Sequence, residues 1–522
     1  MTDQRTAMVE FCPNRLAQFD QSVLGKLASR ARQCILPVLI AASVAACSKD
    51  GGFQSPAGPG QIDYLKGFIG GVAADEPRAA LVARDILSAG GSAADAVAAA
   101  ALTYSVTYPN ASALGAGGFC VVGDAPRKRA ETIEFPALPA QAGGSIAIPG
   151  MVRGLGLLQG RYGRVRWEAV VAPAEQIARF GDGASRAFLR AVQEAQPPVS
   201  ADPALASVLG GRNGIPAEGE RRMQPQLATT LARLRSAGPA DFYQGSLAQT
   251  VLSDITAAGG RITADELRSY AASIGKPIAV PFENSIDIHT SSNASGGAIA
   301  AWLIEQTYDG GTLIGSAKMQ PEKFVANLGQ AYRGVNGAPA QGYGSASIAA
   351  IDRYGLSVAC AFSMGSSFGA RLAGRESGIL FAAPPGGPGD ETPYMVALVG
   401  INPRVNQSFF AAGASGGPAS AAALAQSVLE AGLGKDQVDS AAIALAQPRF
   451  FQGGLQAPVL HEPGVKQSVL ANLQKNGATL TQSSAIGRVN LAYCSDGLPR
   501  SPATCSFAAD RRGFGLATGQ QF

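Results

Sequence analysis

Residues 344–369 read Gly-Ser-Ala-Ser-Ile-Ala-Ala-Ile-Asp-Arg-Tyr-Gly-Leu-Ser-Val-Ala-Cys-Ala-Phe-Ser-Met-Gly-Ser-Ser-Phe-Gly. Two apolar runs, Ile348 to Asp352 and Leu356 to Met364, are separated by Arg353-Tyr354-Gly355. Short apolar runs broken by a glycine turn predict two antiparallel strands joined as a hairpin. Ser345 heads the first strand, where a rigid backbone holds its hydroxyl at the end of a sheet. This stretch is the candidate seat of the chemistry, with Ser347 as a fallback for Ser345.

The rest of the 522-residue chain is 46% hydrophobic and 15% charged, with 65 glycines. That is a globular composition, long enough for one large α/β domain or several smaller ones. A formal net charge of +4 argues against nucleic acid as a partner. The chain has only two histidines, His289 and His461. A multi-histidine metal site is therefore excluded, and neither metal nor cofactor is expected. His289 lies in Ile-Asp-Ile-His-Thr and reads as a half-buried strand residue rather than the base of a Ser-His-Asp triad. A chemistry without histidine fits better. The α-amine of a chain's first residue, with an unperturbed pKa of about 7.7–8.0, can accept a proton from the hydroxyl beside it.

Residues 34–46 read Cys-Ile-Leu-Pro-Val-Leu-Ile-Ala-Ala-Ser-Val-Ala-Ala and follow Lys26, Arg30 and Arg32. A basic region, an apolar core and small residues in that order predict a secretory signal over 1–46, too short to span a membrane. Val44-Ala45-Ala46-Cys47 resembles the bacterial lipobox. Cys47 is then the expected lipidated first residue of an exported chain, anchored on the periplasmic side of a bacterial membrane. Ser48 after it points, by the same resemblance, to the outer membrane. Residues 47–69 read as a flexible tether rich in Gly, Ser and Pro. Export means an oxidising compartment, so the remaining cysteines are disulfide candidates. Cys494 and Cys505 flank a proline-containing turn and predict a bridge across a hairpin. Cys120 and Cys360 sit in apolar strand-like runs, and their sequence leaves a bridge and simple burial both open.

From Gly70 onward, helices that stop at glycine alternate with strands. Arg78 to Ala89 repeats apolar residues at three and four positions and stops at Gly90-Gly91, and Ser92 caps a second run from Ala93 to Val106. Leu114-Gly-Ala-Gly-Gly-Phe119 precedes a strand instead of joining strand to helix, so it is no dinucleotide fingerprint. Helices are expected over Met151 to Tyr162, Trp167 to Phe180, Gln226 to Ala237 and Gly245 to Ala258. Strands are expected at Ile278 to Val280, Ile286 to Thr290, Tyr394 to Val399 and Ser408 to Ala412. Ser295-Gly-Gly297 reads as the cap of a helix from Ala298 to Tyr308. Gly413-Ala-Ser-Gly-Gly417 precedes the helix Ser420 to Ala431, and amides of such a turn point toward an anion, as an oxyanion hole requires.

Taken together and in order, these motifs resemble the γ-glutamyltranspeptidases from about Gly70 to Gly519. The matching blocks include Gly90-Gly-Ser-Ala-Ala-Asp95, Gly117-Gly-Phe119, Asp241-Phe-Tyr-Gln-Gly245, Glu376-Ser-Gly-Ile379, Gly413-Ala-Ser-Gly-Gly417, Pro448-Arg-Phe450 and Ala509-Asp-Arg511. In that family a nucleophilic Thr lies seven residues before the Asp of a Val-Val-Asp-x-x-Gly run. Seven residues before Asp352 stands Ser345.

The resemblance implies a mixed α/β fold, a four-layer αββα sandwich of the N-terminal nucleophile hydrolase type. It implies a precursor that cuts itself between Gly344 and Ser345, leaving a heterodimer of a large-subunit-like segment, 70–344, and a small-subunit-like segment, 345–522. Ser345 becomes the nucleophile and its freed amine the base, Ser363 supplies a neighbouring hydroxyl, and Gly416 and Gly417 form the oxyanion hole. Ser366, Ser367 and Asp390 fall at substrate-binding positions. The implied activity is γ-glutamyl transfer or hydrolysis on glutathione-type small molecules through an acyl-Ser345 intermediate.

Several binding positions depart from the family. The Arg that clamps the glutamyl carboxylate falls where this chain reads Phe135-Pro136-Ala137-Leu138-Pro139. An Asn is replaced by Gly365, and the Asn-Asn-Gln-Met-Asp-Asp loop by Ala382-Ala-Pro-Pro-Gly-Gly387. These changes open two alternatives: the same mechanism with a less polar acyl group, or an unprocessed binding lipoprotein of the same fold.

Overall fold

The computed structural model describes residues 67–201, 205, 209, 215–282, 285–308, 319–335, 342–431 and 439–519. The expected signal segment 1–46, the lipidation site Cys47 and the tether up to residue 66 lie outside the described residues.

Two antiparallel sheets form the middle of the described chain. Their strands in chain order are β1 (Gly70–Ala74), β2 (Gly117–Asp124), β3 (Arg129–Phe135), β4 (Ser273–Gly275), β5 (Ile278–Pro281), β6 (Asp287–Thr290), β7 (Ser345–Asp352), β8 (Leu356–Ser363), β9 (Val396–Asn402), β10 (Gln407–Ser415), β11 (Arg488–Leu498), β12 (Cys505–Ala509) and β13 (Leu516–Gly519). The first sheet runs β13-β1-β7-β8-β2-β3-β4 and the second β12-β11-β10-β9-β6-β5. The decisive hairpin is β7 and β8, in the register Ser345 opposite Ser363 through Ile351 opposite Ser357.

The layering follows from how β7 is buried. Successive side chains of a strand point to opposite faces, and every residue of β7 is buried. Ala346, Ile348 and Ala350 pack into a core shared with the helices Pro77–Ser88 and Ala93–Thr107. Ala349 and Ile351, of the other parity, pack with Ala397, Val399, Ala411 and Ala492 of the second sheet. A third core joins the second sheet to the helices Ser295–Thr307, Pro321–Ala331 and Ser420–Ala431. Three cores between four layers make the αββα sandwich that the resemblance implies. The alanines and glycines of the inner strands let the sheets approach closely. A Cβ at Gly413 would stand 2.8 Å from the Ser347 Cβ.

Local signals explain the helices near the site. Ser92 caps Ala93–Thr107 in a reciprocal box with Asp95, which satisfies two otherwise orphaned N–H groups. The expected cap at Ser295 is corrected: the helix begins at Ser295 itself, with Ala294 before it and no side-chain cap. The glycines there serve close approach instead. A Cβ on Gly296 would lie 2.5 Å from the Tyr394 carbonyl oxygen, and one on Gly297 would lie 2.5 Å from Thr290 Oγ1.

Both cysteine pairs are disulfides between directly opposed residues of neighbouring strands. Cys494–Cys505 joins β11 to β12, and Cys120–Cys360 joins β2 to β8, with Cα atoms 3.9 and 4.0 Å apart. The bridge is thus the realised one of the two readings for Cys120 and Cys360. In an uncleaved chain this bridge closes a loop of 240 residues, so replacing both cysteines by alanine is expected to lower unfolding free energy by about 2–4 kcal/mol. Urea titration of that double variant against its parent, both carrying Ser345→Ala, measures the difference. Coincident curves would show that the bridge contributes nothing. Among the described residues no helix is long and apolar enough to cross a membrane.

Candidate active site at the head of strand β7

Ser345 opens β7 and stands opposite Ser363, the last residue of β8. Its parity is that of Ala349 and Ile351, so its side chain faces the second sheet. There β10 ends at Ser415, and the chain turns through Gly416 and Gly417 into the helix Ser420–Ala431. These glycines have φ of 117° and 66°, in the region where a side chain is strained. The turn brings the Gly416 N–H to 3.5 Å from Ser345 Oγ. Two segments far apart in sequence, each singled out for its own motif, meet here.

A carboxylate completes the cluster. Ser345 Oγ donates to Glu391 Oε2 at 2.5 Å, and the Gly344 N–H donates to Oε1 at 2.7 Å. The Glu391 backbone is fixed by its own N–H, which donates to the Gly365 carbonyl at 2.7 Å. Burial pushes the Glu391 carboxyl above its ordinary value, opposed by the hydrogen bonds from Ser345 and Gly344, the Arg488 charge and the Gly417 N–H. A buried carboxyl with a raised pKa binds a proton more readily than an exposed one.

The peptide bond before Ser345 is held equally firmly. The Gly344 carbonyl accepts the Met364 N–H at 2.9 Å and the Ser363 hydroxyl at 3.2 Å. Ser363 Oγ in turn accepts the Gly365 N–H at 2.9 Å. Gly344 has no room for a side chain: a Cβ would lie 2.5 Å from the Ser366 carbonyl carbon and 2.7 Å from the Ser367 nitrogen.

Behind Ser345 lies a buried polar network. Asp75 accepts from the Ser347 N–H at 2.8 Å, the Ser415 hydroxyl at 2.9 Å and Asn490 Nδ2 at 2.9 Å. Asn490 also donates to Ser347 Oγ at 2.9 Å. Arg488 donates to Ser415 Oγ and to the Gly342 carbonyl and stacks over the Tyr343 ring. Ser347 is thereby part of the bracing that joins β7, β10 and β11.

The other expected positions lie around this centre. Ser366 donates to the Gly369 carbonyl at 3.2 Å, and the buried Ser367 hydroxyl has no hydrogen-bond partner among the described residues. Asp390 accepts the N–H groups of Gly386 and Thr392, at 2.7 and 2.9 Å, so its carboxylate ties up its own loop. The acid that reaches the Ser345 hydroxyl is its neighbour Glu391. The Pro136 carbonyl accepts the Tyr270 hydroxyl at 2.8 Å, and no guanidinium arises from that segment. Glu391, Asp75 and Asn490 carried no sequence signal. Two adjacent acids after a proline and glycine run give no clue to which one turns inward.

Residues 79–320 match the family model described as gamma-glutamyltranspeptidase. The chain is 28% identical over 263 residues to glutathione hydrolase 3 of Arabidopsis thaliana, covering 47% of this chain and 41% of that protein. It is 30% identical over 253 residues to the glutathione hydrolase proenzyme of Pseudomonas aeruginosa, covering 44% of each. These alignments span about two fifths of the length of the curated relatives. By fold, the cephalosporin acylase of Bacillus halodurans matches with a TM-score of 0.69 at 18% identity, covering 90% of this chain and 100% of that one.

Proposed function

By its residues 79–320 the chain belongs to the γ-glutamyltranspeptidase family, and on that premise we propose that it is a self-processing amide hydrolase or acyltransferase working through an acyl-Ser345 intermediate. One observation carries the reading: Ser345 Oγ, the Gly416 N–H and a doubly hydrogen-bonded Gly344 carbonyl meet at the head of β7. Cleavage after Gly344 frees the Ser345 amine. That amine takes the hydroxyl proton as Oγ attacks the substrate carbonyl, and the Gly416 amide, joined by the Gly417 amide when it exchanges its bond to Glu391 for one to the substrate, stabilises the oxyanion. The leaving amine departs with the proton, and water or an acceptor amine releases the acyl group.

The first substrate class is the γ-glutamyl amide of glutathione type, by extension from relatives named glutathione hydrolases. The proenzyme name of the Pseudomonas relative supports a precursor that matures into the fragments ending at 344 and beginning at 345. Cys47 anchors the large fragment by lipid on the periplasmic side; of that reading, two disulfides in the fold support the oxidising compartment.

A second acyl class is favoured by one specific feature. The segment that would supply a carboxylate-clamping guanidinium reads Phe135-Pro136-Ala137, and a lost charged partner in a buried site costs binding. Turnover of a γ-glutamyl anilide against simple aliphatic and aromatic acyl anilides decides between them. Turnover of the glutamyl compound at least about tenfold faster in kcat/KM, roughly 1.4 kcal/mol, is expected for the first class. Hydrolysis of the simple acyl anilides alone supports the second, and no turnover of any anilide by the cleaved protein rejects the enzymatic reading.

A further inference from the structure

Glu391 spans the bond that self-processing would break. One carboxylate oxygen accepts from the N–H of Gly344 and the other from the hydroxyl of Ser345. The scissile carbonyl between them holds two donors of its own, the Met364 N–H and the Ser363 hydroxyl. Before cleavage, Ser345 has no free amine: its nitrogen belongs to the amide. The base assigned to the mature enzyme therefore does not yet exist, and maturation needs another proton acceptor.

Resting on the self-processing reading above, we propose that Glu391 is the general base of maturation, with the Met364 N–H and the Ser363 hydroxyl as its oxyanion donors. In the first step the Ser345 hydroxyl proton passes to Glu391 as Oγ bonds to the Gly344 carbonyl carbon, and the negative charge settles on the Gly344 oxygen. In the second, the carbon–nitrogen bond to Ser345 breaks and Glu391 returns the proton to that nitrogen, leaving an ester and a free amine. Water then adds to the ester carbonyl and the carbon–oxygen bond breaks. The products are the Gly344 carboxylate and a Ser345 with free hydroxyl and amine.

Burial supports the role, since it raises the affinity of Glu391 for a proton. Gly342 supports it too. A Cβ there would stand 2.3 Å from Glu391 Oε1, so the carboxylate keeps its place only because residue 342 has no side chain.

Full-length chain made by cell-free synthesis and followed on reducing denaturing gels tests the proposal. Glu391→Gln keeps the size and loses the basicity, and is expected to slow cleavage at least about 100-fold. Glu391→Ala is expected to stay uncleaved and to recover part of the rate in added formate, a carboxylate small enough for the vacated space. Gly342→Ala leaves the acid in the chain but displaces it, and is expected to slow cleavage about tenfold or more. That variant keeps the test open if changes at 391 prevent folding. A wild-type chain that cleaves while Glu391→Gln and Gly342→Ala keep pace within about threefold, too little for a lost general base, overturns the role of Glu391 alone. A wild-type chain that folds and stays intact overturns the self-processing reading and this proposal with it.

Discussion

Ser345→Ala is expected to yield one uncut polypeptide under conditions where the parent gives a fragment beginning at residue 345, and to lose turnover by a factor on the order of 10⁶. The change removes only the oxygen that both proposed reactions require. Ser345 is 4% exposed, and its hydroxyl is one of several groups that hydrogen-bond Glu391. The variant therefore forfeits the bond to Glu391 and the long one from the Gly416 N–H, about 1.5–3 kcal/mol, and is expected to fold. A reducing denaturing gel, with sequencing of the small fragment's N-terminus, reads the result. A first residue of Ser347 instead of Ser345 would move the nucleophile. The buried bonding of Ser347 to Asn490 and Asp75 argues against that outcome.

Asp510→Ala is expected to cause the largest loss of stability. Asp510 Oδ2 lies 2.6 Å from Arg449 Nη1, and both side chains are 1% exposed. Arg512 and Glu462 complete the cluster: Arg512 donates to Asp510 Oδ1 at 3.0 Å and forms an ion pair with Glu462, and the Arg449 N–H donates to Glu462 at 3.0 Å. Removing one member leaves the Arg449 charge buried beside a second cation, a loss of about 3–5 kcal/mol.

The pH dependence has a definite sign. Burial acts to raise the Asp510 pKa and is outweighed by Arg449 and Arg512, so it falls below the ordinary 3.8. A carboxyl with a depressed folded pKa contributes stability that is fully present above its unfolded value and is lost as pH falls through the folded one. The gap between wild type and Asp510→Ala in urea midpoint should therefore be full at pH 7 and shrink below pH 3.8. Equal midpoints at pH 7 would show that the cluster does not stabilise the fold.

The hairpin β7–β8 was legible because its signals are local: apolar runs, a glycine turn and a serine at the edge. The helix Ser420–Ala431 and the glycine turn before it were legible for the same reason. Resemblance to the family's motif, counted back from Asp352, singled out Ser345, and parity along β7 explains why that hydroxyl faces the second sheet. What the sequence hid was the set of groups that only tertiary packing assembles. Asp75, Ser347, Ser415 and Asn490 come from four separate strands or strand ends, and no spacing announces their meeting. Asp390 and Glu391 differ by one residue in a loop of prolines and glycines, where no periodicity says which carboxylate turns inward. The Ser295-Gly-Gly297 signal reads as a cap in sequence because glycine marks close backbone approach as readily as a helix terminus.

The Cys120–Cys360 bridge ties a strand that precedes the Gly344–Ser345 bond to one that follows it. Scission of that bond would therefore create two termini without setting either piece free. The matured protein would travel as one covalent molecule, indifferent to dilution, and would migrate without thiols much as its precursor does. Only a reductant would part the halves.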